Sequence, residues 1–142
     1  MSNVGEALKV HLEADATVFA LVSTRIHPSS VPTSNVFPYI VYEQTNEPTT
    51  RHMLAASKPT MATFEIDCYS NAALGAYTLA DAVREAIDGF LRGKWGTLDV
   101  TSVTIDQIRD GFNVPDKKNE IGTFIRTIDV DIWYQRSIPT FP

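Results

Sequence analysis

Four carboxylates stand in two alternating pairs. Glu65 and Asp67 lie in Phe64-Glu65-Ile66-Asp67-Cys68, and Asp129 and Asp131 lie in Ile128-Asp129-Val130-Asp131-Ile132. On a strand, successive side chains point to opposite faces, so both acids of a pair leave the same face while the apolar residues leave the other. If the two strands are neighbours, the four acids form one patch, flanked by Thr63 and Thr127. Such a patch suits three kinds of chemistry. It can be a solvated face. It can be a hard-oxygen site for a divalent cation. It can be an acidic wall past which a polyanion moves without sticking. The residues alone leave all three open.

The other groups able to do chemistry are scattered. His11 falls in a helical pattern, His27 before a proline and His52 in a long connection, and none is spaced with a second His or a carboxylate as a metal pair requires. Gly93-Lys94-Trp95-Gly96 lacks the spacing and the Lys-Ser/Thr ending of a phosphate-binding loop. No Gly-x-Ser-x-Gly elbow is present. The single cysteine, Cys68, rules out an intrachain disulfide and a Cys-rich zinc site. Its place in the apolar phase of a strand predicts a buried, inert thiol. The sequence therefore offers no catalytic residue, no cofactor site and no metal-ligand motif, and the expectation is a protein that is not an enzyme.

Composition narrows the class further. The 142 residues are too few for two ordinary domains but enough for one real core, so a single domain over residues 1–136 with a short tail at 137–142 is expected. Twelve Lys and Arg against 17 Asp and Glu leave a formal charge of −5, which argues against a nucleic-acid grip. No apolar run approaches the roughly 20 residues of a membrane span, and Met1-Ser2-Asn3-Val4-Gly5-Glu6 lacks the basic start of a signal peptide. A soluble chain with no membrane contact, intracellular at synthesis, is the expectation.

The elements that must position the acids read as follows. Asn3 and Glu6 have capping-box spacing ahead of a helix with Val4, Ala7, Leu8, His11 and Leu12 on one stripe. Asp15 opens a second short helical turn through Val18, Phe19 and Val22. Ile26 sits in a possible short strand before a Pro- and Ser-rich loop, and residues 39–45 read as a strand. Residues 62–70 alternate most cleanly. Asn71 is then the expected cap of a helix reaching about Arg92, with Ala76, Leu79, Ala80, Val83, Ile87, Phe90 and Leu91 on its apolar stripe and Gly93 as its stop. Residues 98–109 make a strand whose phase slips between Val100 and Val103, and residues 122–136 make the last. The fold class expected is α+β: an antiparallel sheet of about four strands, two helices packed on one face, in the order α-β-β-α-β-β.

Two connections are long. Residues 46–60 carry Arg51, His52, Met53, Leu54 and Lys58, and Met and Leu are unusual in a purely solvating loop, so this segment reads either as a surface loop or as a docking arm that orders on a partner. Residues 110–121 form a second polar loop. Trp133 faces the acidic side of its strand, where a large aromatic is unexpected unless a subunit contact covers it.

The order of these pieces resembles a known family. Ala14-Asp15-Ala16 leads into Leu21-Val22-Ser23-Thr24-Arg25-Ile26-His27-Pro28; Phe37-Pro38-Tyr39-Ile40-Val41-Tyr42 follows, then Phe64-Glu65-Ile66-Asp67-Cys68-Tyr69-Ser70. The helix with Ala80-Asp81-Ala82-Val83-Arg84-Glu85-Ala86-Ile87 and the closing Phe124-Ile125-Arg126-Thr127-Ile128-Asp129-Val130-Asp131-Ile132-Trp133-Tyr134 complete the pattern. In this order and spacing the chain resembles the tail completion proteins of long-tailed bacteriophages and prophages, also called tail terminators or head-to-tail joining proteins.

The resemblance implies a structural protein of the virion tail, assembled in the host cytoplasm. It implies a homo-oligomeric ring, a hexamer, that caps the head-proximal end of the tail tube and stops its growth. The ring would contact the tail tube protein on one side and the head connector or stopper protein on the other, with DNA passing through its centre unbound. It carries over no catalytic residue. Under it, Glu65, Asp67, Asp129 and Asp131 become candidates for a lumen that repels DNA, and the two long loops candidates for axial docking arms. The second expectation is a small α+β protein–protein interaction module unrelated to tails.

Overall fold

The computed structural model describes residues 4–28, 36–46, 57–113 and 122–137. Two helices come first, α1 (Val4–Ala14) and α2 (Ala16–Val22), then strands β1 (Ile26–Pro28), β2 (Tyr39–Asn46) and β3 (Ser57–Ser70). Helix α3 (Ala73–Ile87) follows, and β4 (Leu91–Trp95), β5 (Leu98–Asn113) and β6 (Thr123–Ser137) close the chain.

The strands form one six-stranded sheet in the order β1-β2-β3-β6-β5-β4. The class is α+β, as expected, but the sheet is neither four-stranded nor purely antiparallel. β1 joins one edge parallel to β2, and β4 joins the other edge antiparallel to β5. The helices number three among the described residues, because the turn opened by Asp15 is a helix in its own right. The Asp15 carboxylate accepts from the backbone N–H groups of Thr17 and Val18 at 3.0 and 3.1 Å. That contact satisfies donors a helix start leaves orphaned.

Helix α3 ends earlier than its apolar stripe suggested. Ile87 is its last residue, Asp88 is extended, and Gly89 turns left-handed at φ +71°. A side chain there would meet the Cβ–carbonyl clash that glycine avoids. Phe90 still points into the core, but Leu91 belongs to β4, and Gly93, the expected stop, lies inside that strand. The start differs too. Ala72, not Asn71, is the N-cap residue and supplies no side-chain bond. Instead the Ser70 hydroxyl accepts the Ala72 N–H at 3.2 Å.

All three helices cover the same sheet face. Leu8 and Leu12 of α1, Val18 and Val22 of α2, and Leu79, Val83 and Ile87 of α3 are fully buried with Phe64, Ile66, Ile128, Val130 and Ile132 of the sheet. Each such side chain contributes roughly 1.5–3 kcal/mol relative to exposure. Cys68 lies in this layer, fully buried, and burial pushes its thiol well above the ordinary range. His11 sits at the layer's rim. Its Nε2–H donates to the Ala86 carbonyl at 2.8 Å, and its ring stacks on Trp95 at 4.4 Å.

β5 breaks its alternation twice against β6, between Val100 and Ser102 and again between Ile105 and Gln107. The first break is the phase slip expected from the sequence. The second returns Ile108 to the covered face and sends Arg109 to the open one, opposite Thr127.

Candidate functional site on the open sheet face

β3 and β6 are neighbours over fourteen register pairs, so the four predicted acids do share one surface, the sheet face that none of the described helices covers. Glu65 stands directly opposite Asp129, Asp67 opposite Thr127, and Thr63 opposite Asp131. The row through Glu65 continues onto β2, where Glu43 is its partner, and onto β5, where Gln107 faces Asp129. Three carboxylates, Glu43, Glu65 and Asp129, therefore stand side by side across three strands. Like charges opposite one another destabilise a sheet unless something answers them.

Two kinds of group answer them. Threonines hold the outer acids: Thr127 Oγ1 donates to Asp67 at 2.6 Å and Thr63 Oγ1 donates to Asp131 at 2.9 Å. A cation holds the centre. Arg109 donates from Nε and Nη2 to the two oxygens of Asp129 at 3.0 and 3.1 Å, and Gln107 donates to the same carboxylate at 2.8 Å. The same guanidinium stands 3.5 Å from Glu65. This planar fork is the geometry in which Arg binds carboxylates best.

The electrostatic result is uneven. Partial burial works to raise the Asp129 carboxyl, but the hydrogen bonds from Arg109 and Gln107, with the Arg109 charge, hold it below the ordinary aspartate value. Glu65 goes the other way. Partial burial and the nearby Asp67 raise it, and Arg109 offsets only part of that. Arg109 is the residue that sequence reasoning missed. The three-residue spacing of Ile105 and Ile108 was its signal, since two core residues three apart on a strand require a second bulge between them.

The four predicted acids are held by these partners, and among the described residues no group of three or more His, Cys, Asp or Glu converges as a metal site would require. What the face offers is a surplus of negative charge with ordered side chains.

Trp133 is on this face, as its phase predicted, and 38% exposed. The proposed docking loop does not stay whole. Arg51, His52, Met53 and Leu54 lie outside the described residues, while Lys58 is in β3, opposite Arg136. The connection expected over 46–60 thus loses its last residues to the strand, which begins at Ser57. The loop expected at 110–121 likewise loses Asp110 to Asn113, which continue β5 against β6. His11 is in α1, on the covered side, whereas His27 in β1 stands opposite Val41, whose other neighbour is Asp67, so it lies at the β1 edge of the same open face.

Comparisons with known proteins place this architecture. A chain in the solved structure of the virion of a native gene transfer agent particle has the same fold, with a TM-score of 0.62 at 18% identity over 92% of this chain and 94% of the other. No curated protein matches the sequence. The family model described as tail completion protein gp17 matches residues 6–135, nearly the whole of the described fold. The chain belongs to the tail completion protein family and is a structural protein of the phage virion tail.

Proposed function

We propose that copies of this chain close into a hexameric ring at the head-proximal end of the tail tube. The ring ends tube growth and presents its other side to the head connector or stopper protein. The observation that carries this is the family match over residues 6–135. The protein acts by fitting surfaces together, without catalysis, cofactor or membrane.

In this reading the open sheet face borders the path of the DNA. Glu65, Asp67 and Asp131, with Asp129 tempered by Arg109, give it a negative potential that keeps phosphates from settling there. The segment carrying Arg51, His52, Met53 and Leu54, leading into Lys58, reaches along the ring axis to the tube or the connector, and Trp133 serves a contact between subunits.

The test is electron microscopy of particles made without the protein. Overlong tails, or tails that never join heads, are expected; tails of normal length on filled heads would overturn the reading. A second preparation lacking only residues 50–56 is expected to form the ring but join poorly to its axial partners. Normal joining would remove the docking role from that segment and leave the ring untouched.

A further inference from the structure

The described surface carries two apolar patches, and they differ in place and make-up. The first lies at the start of α3, on the covered side of the sheet. Tyr77 donates from its hydroxyl to Asp110 at 2.9 Å, and the Arg126 guanidinium lies 4.4 Å from the centre of its ring. Two residues away on each strand, Phe112 and Phe124 meet at 4.9 Å between ring centres. Leu74, one helical turn before Tyr77, is 77% exposed and Phe112 is 52% exposed. Exposed aromatics and leucine gathered at one end of a domain mark a contact surface rather than a solvated one.

The second patch is on the open face. Met61 stands opposite Trp133, Trp133 opposite Ser102, and Ser102 opposite Leu91, so one cross-strand row spans β3, β6, β5 and β4. Phe90 packs inward against His11 and Trp95, which turns Leu91 outward, 75% exposed. This row lies beside the carboxylates, one step past Asp131.

On β6 the two patches are marked by Phe124 and Trp133, nine residues apart and on opposite faces, so roughly 30 Å separates them. A two-fold dimer needs one self-complementary patch; a closed ring needs two unlike patches on every subunit. Their charges are compatible as well. The carboxylate of the first patch, Asp110, is already answered by Arg126 and Tyr77, so the acidic border of the second can approach it without meeting a free like charge.

From this arrangement we infer that the Leu74–Tyr77–Phe112–Phe124 patch of one copy packs on the Leu91–Trp133–Met61 row of the next, head to tail around the ring. The inference rests on the ring reading and names its subunit contact.

Single-cysteine variants test it, because native Cys68 is fully buried and does not compete for reagent. Leu74→Cys and Leu91→Cys are made separately in the full chain, and both sites are exposed enough to leave the fold intact. A short bifunctional maleimide is expected to link the two variants when mixed, and neither alone. Light scattering on the same samples gives the oligomer mass. Leu74→Asp and Leu91→Asp are each expected to weaken self-association by about tenfold or more, as loss of a central apolar contact does. An oligomer in which the mixture fails to link overturns the assigned contact and leaves the ring standing. Linking of either variant with itself overturns the head-to-tail geometry in favour of a two-fold one. A chain that stays monomeric at every concentration overturns both the contact and a ring that assembles by itself.

Discussion

The two faces of the sheet are built from the same strands, residue by residue in alternation, yet they are held together differently. Under the helices, Phe64, Ile66, Ile128, Val130 and Ile132 pack in one hydrophobic cluster with the helix stripes, and stability there comes from area removed from water. On the other side, Glu65, Asp67, Asp129 and Asp131 are ordered by named partners: two threonines, one glutamine and one arginine. Packing depends on the volume each side chain fills, whereas a partly exposed, hydrogen-bonded charge contributes little net stability. The covered face therefore sets how stable the protein is. The open face sets what the protein presents, with little stability of its own to lose.

The sharpest test of that division uses neighbours in one strand. Phe64→Ala is expected to cost about 3–5 kcal/mol in denaturant unfolding, through lost transfer energy and an unfilled cavity. Glu65→Ala, one residue on, is expected to change stability by no more than about 0.5 kcal/mol. Equal losses at the two positions would break the comparison.

A smaller effect is expected where the open face does bury a polar group. Thr127 is almost wholly buried and donates to Asp67. Thr127→Val keeps the shape and removes the donor, at an expected cost of about 1–2 kcal/mol in the same assay. No loss would mean that water replaces the hydroxyl and that the face is less ordered than its geometry.

The smallest effects are pH-dependent and opposite in sign. The Asp129 carboxyl is held below its ordinary value, so its contribution is present above the unfolded aspartate range and is lost as pH falls through its folded value. Glu65 is raised, so the folded state favours its protonated form. Its contribution is full below the unfolded glutamate range and is lost as pH rises through its folded value. At pH 7, Glu65→Gln is expected to raise stability slightly and Asp129→Asn to lower it, each by about 0.5 kcal/mol once solvent screening is allowed for. Both differences should shrink below the carboxylate range. Thermal unfolding of the two variants from acid to neutral pH checks the signs, and shifts of the same sign would mean that Arg109 does not distinguish the two acids.

Much of this was legible in the sequence, and the reason is periodicity. Strict alternation over residues 62–70 and 128–134 placed four acids on one face because nothing interrupts the period of two. The helical stripe of α3 was legible for the same reason, up to Ile87. It misled at Phe90 and Leu91 because hydrophobic spacing does not register a single left-handed residue, and Gly89 ended the helix first. The strand β4 escaped for another reason, and β1 was legible only as a short strand around Ile26, without its partner. Five residues or fewer carry too short a pattern, and what fixes them is pairing with distant strands. Arg109 belongs to a third kind of gap. Its partner Asp129 is twenty residues away, and the pairing depends on a bulge that shifts which side chains face outward. Charge patches can be read along a strand, but the cation that tempers them comes from across the sheet.

The two bulges of β5 also have a mechanical meaning. A strand that alternates without fault can slide by two residues along its partner and keep every side chain on its proper face. β5 cannot slide while its bulges stay in place, because its phase changes at Val100/Ser102 and again at Ile105/Gln107, and such a slide would move Ile105 or Ile108 off the covered face. The long β5–β6 pair is thus notched like a key in its ward. A structural protein of the virion tail gains from a hairpin that resists being sheared out of register.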